Sequence, residues 1–181
     1  MENKEILVNL LKPVKQEKEI VPKIPRKRVI TKDKKRWKFQ ESDLVPENQI
    51  QYICQMSDGV YDSKISDMME KHIHQKIGGY KAQDIHKNLY VEEKFIDFAK
   101  VLELLKTCEN RCFYCKKTVH ILYENVREPM QWTLERIDNE FGHNKDNVEI
   151  ACLNCNLRRR TMYHERFLFT KELNIIKNVG N

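Results

Sequence analysis

The chain has 181 residues, of which 40% are hydrophobic, 9% aromatic and 33% charged, which allows one modest core and excludes collagen-like or low-complexity classes. Its net charge of +6 belongs to one end, because residues 1–40 carry 13 Lys/Arg against 5 Asp/Glu and the rest sums to −2. No apolar run approaches the ~18 residues of a membrane span, the Ile6 to Leu11 piece is too short and polar-flanked for a secretory signal, and Glu2 excludes N-myristoylation. The reading is a soluble intracellular chain without a membrane partner, in which six cysteines favour metal binding over disulfides.

Residues 1–42 read as a flexible basic arm. Pro13, Pro22 and Pro25 interrupt any helix, and the Pro25-Arg26-Lys27-Arg28 and Lys34-Lys35-Arg36 clusters suit a phosphate-binding arm, a nuclear-import signal or a solvated linker. Residues 43–106 form an α-helical region. The spacing of Ile65, Met68, Met69, Ile73 and Ile77 predicts a helix over 63–77 that Gly78-Gly79 would stop. Phe95, Phe98, Ala99, Leu102 and Leu105 predict a second over 92–106. Both stripes belong to a core rather than a cofactor site. His72 and His74, two residues apart on a helix, face different ways and make no metal site by themselves. From 107 to 181 the texture is mixed. Runs at 119–123, 132–137 and 148–151 favour strands, a helix is expected from Cys155 through Arg160, and 167–176 forms a last helical or extended piece. The fold class is therefore α+β.

Two C-x-x-C pairs, Cys112/Cys115 and Cys152/Cys155, lie 36 residues apart. Each places two thiolates on one tight turn, and two such turns complete a tetrahedral four-sulfur shell, the pattern of structural zinc. Cys54 and Cys108 lack a paired turn. Between the pairs lies a polar constellation. Glu135 ends an apolar strand and Asn156 follows the last cysteine; one carboxylate and one amide oxygen suit Mg²⁺ or Mn²⁺. His143, in the loop between them, is able to take a proton from water at neutral pH. Arg136, Arg158, Arg159 and Arg160 offer phosphate contacts.

These residues, read as Cys112-Phe-Tyr-Cys115, Leu134-Glu135-Arg136-Ile137-Asp138 and Asn147-Val-Glu-Ile-Ala-Cys152-Leu-Asn-Cys155-Asn156-Leu-Arg-Arg159, resemble the HNH, or ββα-metal, endonucleases, and within them HNH-like proteins of large DNA viruses. The resemblance covers roughly residues 80–178 and is strongest over 112–160. It implies an HNH unit stapled by a four-cysteine zinc site, DNA as partner, hydrolysis of phosphodiester bonds with one divalent metal, and a place in the cytoplasm or nucleus of a host cell. By position, Glu135 and Asn156 take the places of the metal ligands, Asn147 that of the Asn ordering the loop of the base, and Arg159 that of the basic residue after C-N-x-x. Arg136 departs from the pattern, because it stands where the family carries its general-base histidine, and arginine stays protonated.

Three readings follow. His143 supplies the base from the loop, His120 supplies it from the preceding run, or the site binds metal and DNA with weak or no catalysis. Asp138 is a further metal-ligand candidate, although Asp-Asn also suits a turn. Against the nuclease stand two alternatives: a zinc-stabilised DNA-binding module, and a protein-interaction factor docking through the helical region. No heptad repeat sets an oligomeric state.

Overall fold

Helices in the first half form where the apolar spacing is helical. The computed structural model describes residues 24–27, 40–61 and 64–172. After a short 3-10 turn at Glu41–Leu44, α1 runs over Pro46–Ser57 with proline at its first turn, where a missing N–H costs nothing. Helix α2 spans Lys64–His86 and α3 spans Phe98–Thr107. Asp97 caps α3 by accepting the Lys100 backbone N–H at 2.9 Å, so α3 begins later than its apolar stripe suggests.

The Gly78-Gly79 stop is not observed: α2 passes through both glycines and continues to His86. Both face solvent, and nothing lies within 4 Å of where a Cβ would stand. Two interior glycines cost a helix about 1 kcal/mol each relative to alanine. Contacts made beyond them offset that cost: the Leu134 N–H donates to the Tyr80 hydroxyl at 3.0 Å, and Asp84 is fully buried.

The sheet consists of two antiparallel strands, β1 (Trp132–Arg136) and β2 (Val148–Cys152), with Leu134 opposite Ile150 and Glu135 opposite Glu149. Helix α4 (Leu153–Arg159) follows β2 directly, and α5 (His164–Glu172) closes the described chain. The architecture is mixed α+β, with five α-helices and this small sheet among the described residues. The run at 119–123 is not a strand. The buried Gln49 side chain of α1 engages its backbone, accepting from Ile121 N at 2.7 Å and Leu122 N at 3.0 Å and donating to Leu122 O at 3.2 Å. His120 bridges to Gln131 alone. Its β propensity is real, but a side chain satisfies the ladder positions.

One apolar cluster joins both halves: Ile53, Met69, Ile73, Val101 and Leu105 from the helices, with Trp132, Leu134, Ile150 and Phe167 from the rest. The helical region is therefore packed into the same core as the cysteine-bearing part. Part of the basic arm is also docked, since Lys27 bridges Asn125 and Val126 N donates to Arg26 O at 2.9 Å. The remaining arm, with the 6–11 piece and the second basic cluster, and residues past 172 lie outside the described residues. No described helix is long and apolar enough to cross a membrane.

Candidate active site and metal centre

The sulfurs of Cys112, Cys115, Cys152 and Cys155 lie within 4.8 Å of one another and could hold a metal such as zinc. The first pair sits in a small hairpin. Arg111 bridges Thr118, Lys116 takes a left-handed φ of 57°, and Phe113 N donates to Ile150 O at 2.8 Å, which fastens the hairpin to β2. The second pair begins α4, where Cys152 is the N-cap and its sulfur accepts the Cys155 N–H at 3.4 Å. Asn156 is therefore inside the helix and is not its cap. A hydrogen bond from Cys152 holds Cys112 down to about 4, the same bond pushes Cys152 up, and burial pushes Cys155 up to about 12.

A cleft of about 370 Å³ opens between β1, α4, the 139–143 loop and the far end of α2. Glu135, His143, Thr133 and Asn156 line it together with the cations Lys87, Arg136 and Arg160. Five of the candidate site residues, Glu135, His143, Asn156, Arg136 and Arg160, therefore line one cleft, whereas Asn147, Arg158 and Arg159 do not. His120 and Asp138 do not line it. Asp138 Oδ1 instead accepts the Glu140 N–H at 2.9 Å in a turn.

Glu135 is 5% exposed, and its Oε1 is bonded by Arg159 Nη1. Burial pushes the Glu135 carboxyl up, while Arg159 pulls it back. Arg159, expected on the surface among the phosphate-binding arginines, is 2% exposed and turned inward, where Nη2 also donates to Ile137 O at 2.8 Å. Its place on the buried side of a one-turn-plus helix decides this; Arg158 and Arg160 on either side are exposed. Glu135 Oε2 is buried without a hydrogen-bond partner among the described residues. Asn156 Nδ2 donates to Thr133 Oγ1 at 3.3 Å, which leaves its carbonyl oxygen for another partner.

The 138–143 loop is held from two sides. Asn147 accepts Asp138 N at 2.9 Å and donates to Asp138 O and Gly142 O at 2.9 and 3.0 Å. Arg136 Nη1 donates to Asn139 O and Phe141 O at 3.2 and 3.0 Å, so Arg136 organises the loop that carries His143. The imidazole packs on the Tyr80 ring, with centroids 4.5 Å apart. Burial holds it below its ordinary value, partly countered by Asp84, whereas Arg136 and Lys87 add to the lowering.

Sequence reasoning missed Tyr80, Asp84 and Lys87, because it ended their helix at Gly78. Asp84, with Tyr80 one turn and Ile77 two turns before it, is the available signal. Gly142 was missed as well. A Cβ there would stand 2.5 Å from Leu89 O and 2.8 Å from Asp84 Oδ2, neither of which has room to retreat. Gly142→Ala is expected to lower stability by about 1–3 kcal/mol, read as a shifted urea midpoint at unchanged slope. An unchanged midpoint would show that the loop does not press on α2.

Searches against family models, curated proteins and solved structures find no match to this chain.

Proposed function

We propose that the chain is a DNA endonuclease of the HNH, or ββα-metal, type, stapled by structural zinc and hydrolysing phosphodiester bonds with one divalent metal. The observation that carries the reading is the convergence of Glu135, Asn156 and His143 on one cation-flanked cleft beside the four cysteines.

The donors fit both metals. Four thiolates ~2.3 Å from a tetrahedral zinc stand about 3.8 Å apart, and Cys115 and Cys152 lie 3.9 Å apart. Four sulfurs close that shell, so the site holds the fold and takes no part in chemistry. Glu135 and Asn156 both line the cleft, and the Glu135 carboxylate, with one buried oxygen unpartnered, and the Asn156 amide oxygen are hard donors of the kind Mg²⁺ and Mn²⁺ take. A divalent ion held there supplies Lewis-acid polarisation of the phosphodiester and stabilises the leaving oxygen. The chain's own groups do the remainder. His143, neutral at pH 7, takes a proton from the attacking water, and Arg136, Arg160 and Lys87 bind phosphate oxygens.

A second reading, a DNA-binding module without catalysis, is favoured by the Arg159 contact, which occupies one oxygen of the metal-ligand carboxylate. Supercoiled and branched DNA offered to the full chain with Mg²⁺, Mn²⁺ or EDTA separates the two. The nuclease reading expects metal-dependent cutting that falls about 100-fold or more in Glu135→Gln and in His143→Asn. Salt-sensitive binding without cutting would leave the binding module; loss of both would turn attention to a protein partner.

A further inference from the structure

We infer that Asp84, on the far end of α2, is the positioning residue that sets the tautomer and orientation of His143 for proton abstraction. The inference rests on the nuclease reading of the cleft and names a group outside the stretch that resembles that family most strongly.

Asp84 is 0% exposed and holds His143 at two points. Its Oδ2 accepts the His143 backbone N–H at 2.6 Å, and its Oδ1 lies 2.8 Å from the ring Nδ1. A carboxylate on Nδ1 selects the tautomer protonated there and leaves the lone pair on Nε2. The ring lines the cleft with Glu135 and Asn156, and Nε2 has no hydrogen-bond partner among the described residues. This is the arrangement of a base oriented by a third group.

Three further contacts keep the pair in place. Tyr80, one turn before Asp84, packs on the imidazole face. The Gly142 backbone passes so close to Asp84 Oδ2 that only glycine fits. Ile96 N donates to His143 O at 2.9 Å from the segment leading into α3. A carboxyl with no solvent exposure that bonds both the backbone and the ring of one loop histidine is costly to keep unless the pair has a use. The glycine that excludes every side chain above it points the same way.

The charged groups around the ring are Asp84 and Lys87 from the α2 end and Arg136 from β1. Tyr80 is neutral, and on the remaining side Lys145 is paired with Asp97 at 2.6 Å. Of these, only Asp84 favours the protonated imidazole. Burial dominates and keeps His143 below the usual histidine value, so the base form prevails at pH 7. Removing the Asp84 charge lowers the imidazole further. The acid limb of the pH–rate profile then moves to lower pH while the maximal rate falls, because a weaker and wrongly held base takes the proton.

The test combines cleavage with a ring-nitrogen measurement on the full zinc-loaded chain. ¹⁵N NMR of wild type at pH 7.5 is expected to show His143 protonated at Nδ1 and bare at Nε2. Asp84→Asn, with zinc content and thermal midpoint as checks on folding, is expected to cut supercoiled DNA with Mn²⁺ about 100-fold or more slowly. Its DNA affinity should be unchanged and its acid limb shifted down. A folded Asp84→Asn that cuts at the wild-type rate with an unshifted profile overturns the inference. If that variant does not fold, the wild-type tautomer decides, and a proton on Nε2 overturns it. A wild-type protein that cuts no DNA with any metal overturns the nuclease reading itself and the catalytic use of Asp84 with it. That outcome is distinct from active wild type with an indifferent Asp84→Asn.

Discussion

Chelating a metal from the four-cysteine cluster, or replacing Cys152 with serine, is expected to destabilise the whole chain rather than loosen one corner of it. The cluster joins a hairpin before the sheet to the end of β2 and the start of α4. The sheet it braces has only two strands of five residues each. A two-stranded ribbon is marginal in water without support from other layers. Structural zinc in small domains contributes about 10–16 kcal/mol of apparent binding energy at neutral pH, as much as the ~5–15 kcal/mol net stability of a typical domain. The cysteines are also core residues: Cys112, Cys152 and Cys155 are each at most 1% exposed, and they belong to the same cluster as Trp132 and Ile150. A metal-free cluster therefore leaves these thiols in the middle of the packing without the cation that would tie them together. The expected result is one zinc per chain as purified, with a strong chelator lowering the thermal midpoint by about 20 °C or more, at ~2–4 °C per kcal/mol for a chain of this size. Zinc-free protein with an unchanged melting curve would refute the structural role. Because the helices share this core, they should melt in the same transition.

The runs that become β1 and β2 and the two cysteine pairs are legible in the sequence because their signals are local, whereas the pairing and register of the strands are not. Apolar runs bounded by turn residues mark the strands, and a fixed spacing marks the ligands. The cleft is only half legible. Glu135, His143 and Asn156 lie within 22 residues of chain, and a pattern reading reaches them. Asp84 lies 59 residues from His143, on a helix whose continuation depends on tertiary contacts that no local rule contains. Gly78-Gly79 carries an ordinary stop signal, and long-range packing overrides it. The run at 119–123 fails in the same way, since Gln49 sits more than 70 residues upstream of the backbone it satisfies. Arg136 teaches the converse. By position it only departs from the pattern the chain resembles, whereas in three dimensions it secures the loop that carries His143.

By sequence Arg159 belongs among the phosphate contacts, but its buried position supports a different and larger prediction. Its guanidinium meets Glu135 and the carbonyls of Arg136 and Ile137, the residues that lead out of β1 into the loop. Removing one partner of a buried pair strands the other, which costs about 3–5 kcal/mol. Arg159→Met is expected to lose that much at pH 7.5. Arg159→Lys should recover little of it, because an ammonium lacks the planar fork that serves three acceptors at once. The pH dependence carries a definite sign. Burial already raises Glu135 above the ordinary carboxylate range, and Arg159 is the main opposing influence. Without the arginine the folded-state value climbs further, so the folded chain binds a proton that the unfolded chain releases. Stability conferred by that proton is present below the unfolded value, near 4.3, and is lost as pH rises through the raised folded value. The defect of Arg159→Met should therefore be small near pH 4.5 and full at pH 7.5. Adding Glu135→Gln should recover much of the loss at neutral pH, since an amide needs no counter-charge. Equal losses at both pH values, with no recovery in the double variant, would mean that the guanidinium works through the two carbonyls and not through Glu135. A pair of that kind would leave the carboxylate free for a cation at no cost to the fold. The urea midpoints of the two variants thus bear directly on whether the Glu135 carboxylate is free to hold the proposed divalent metal.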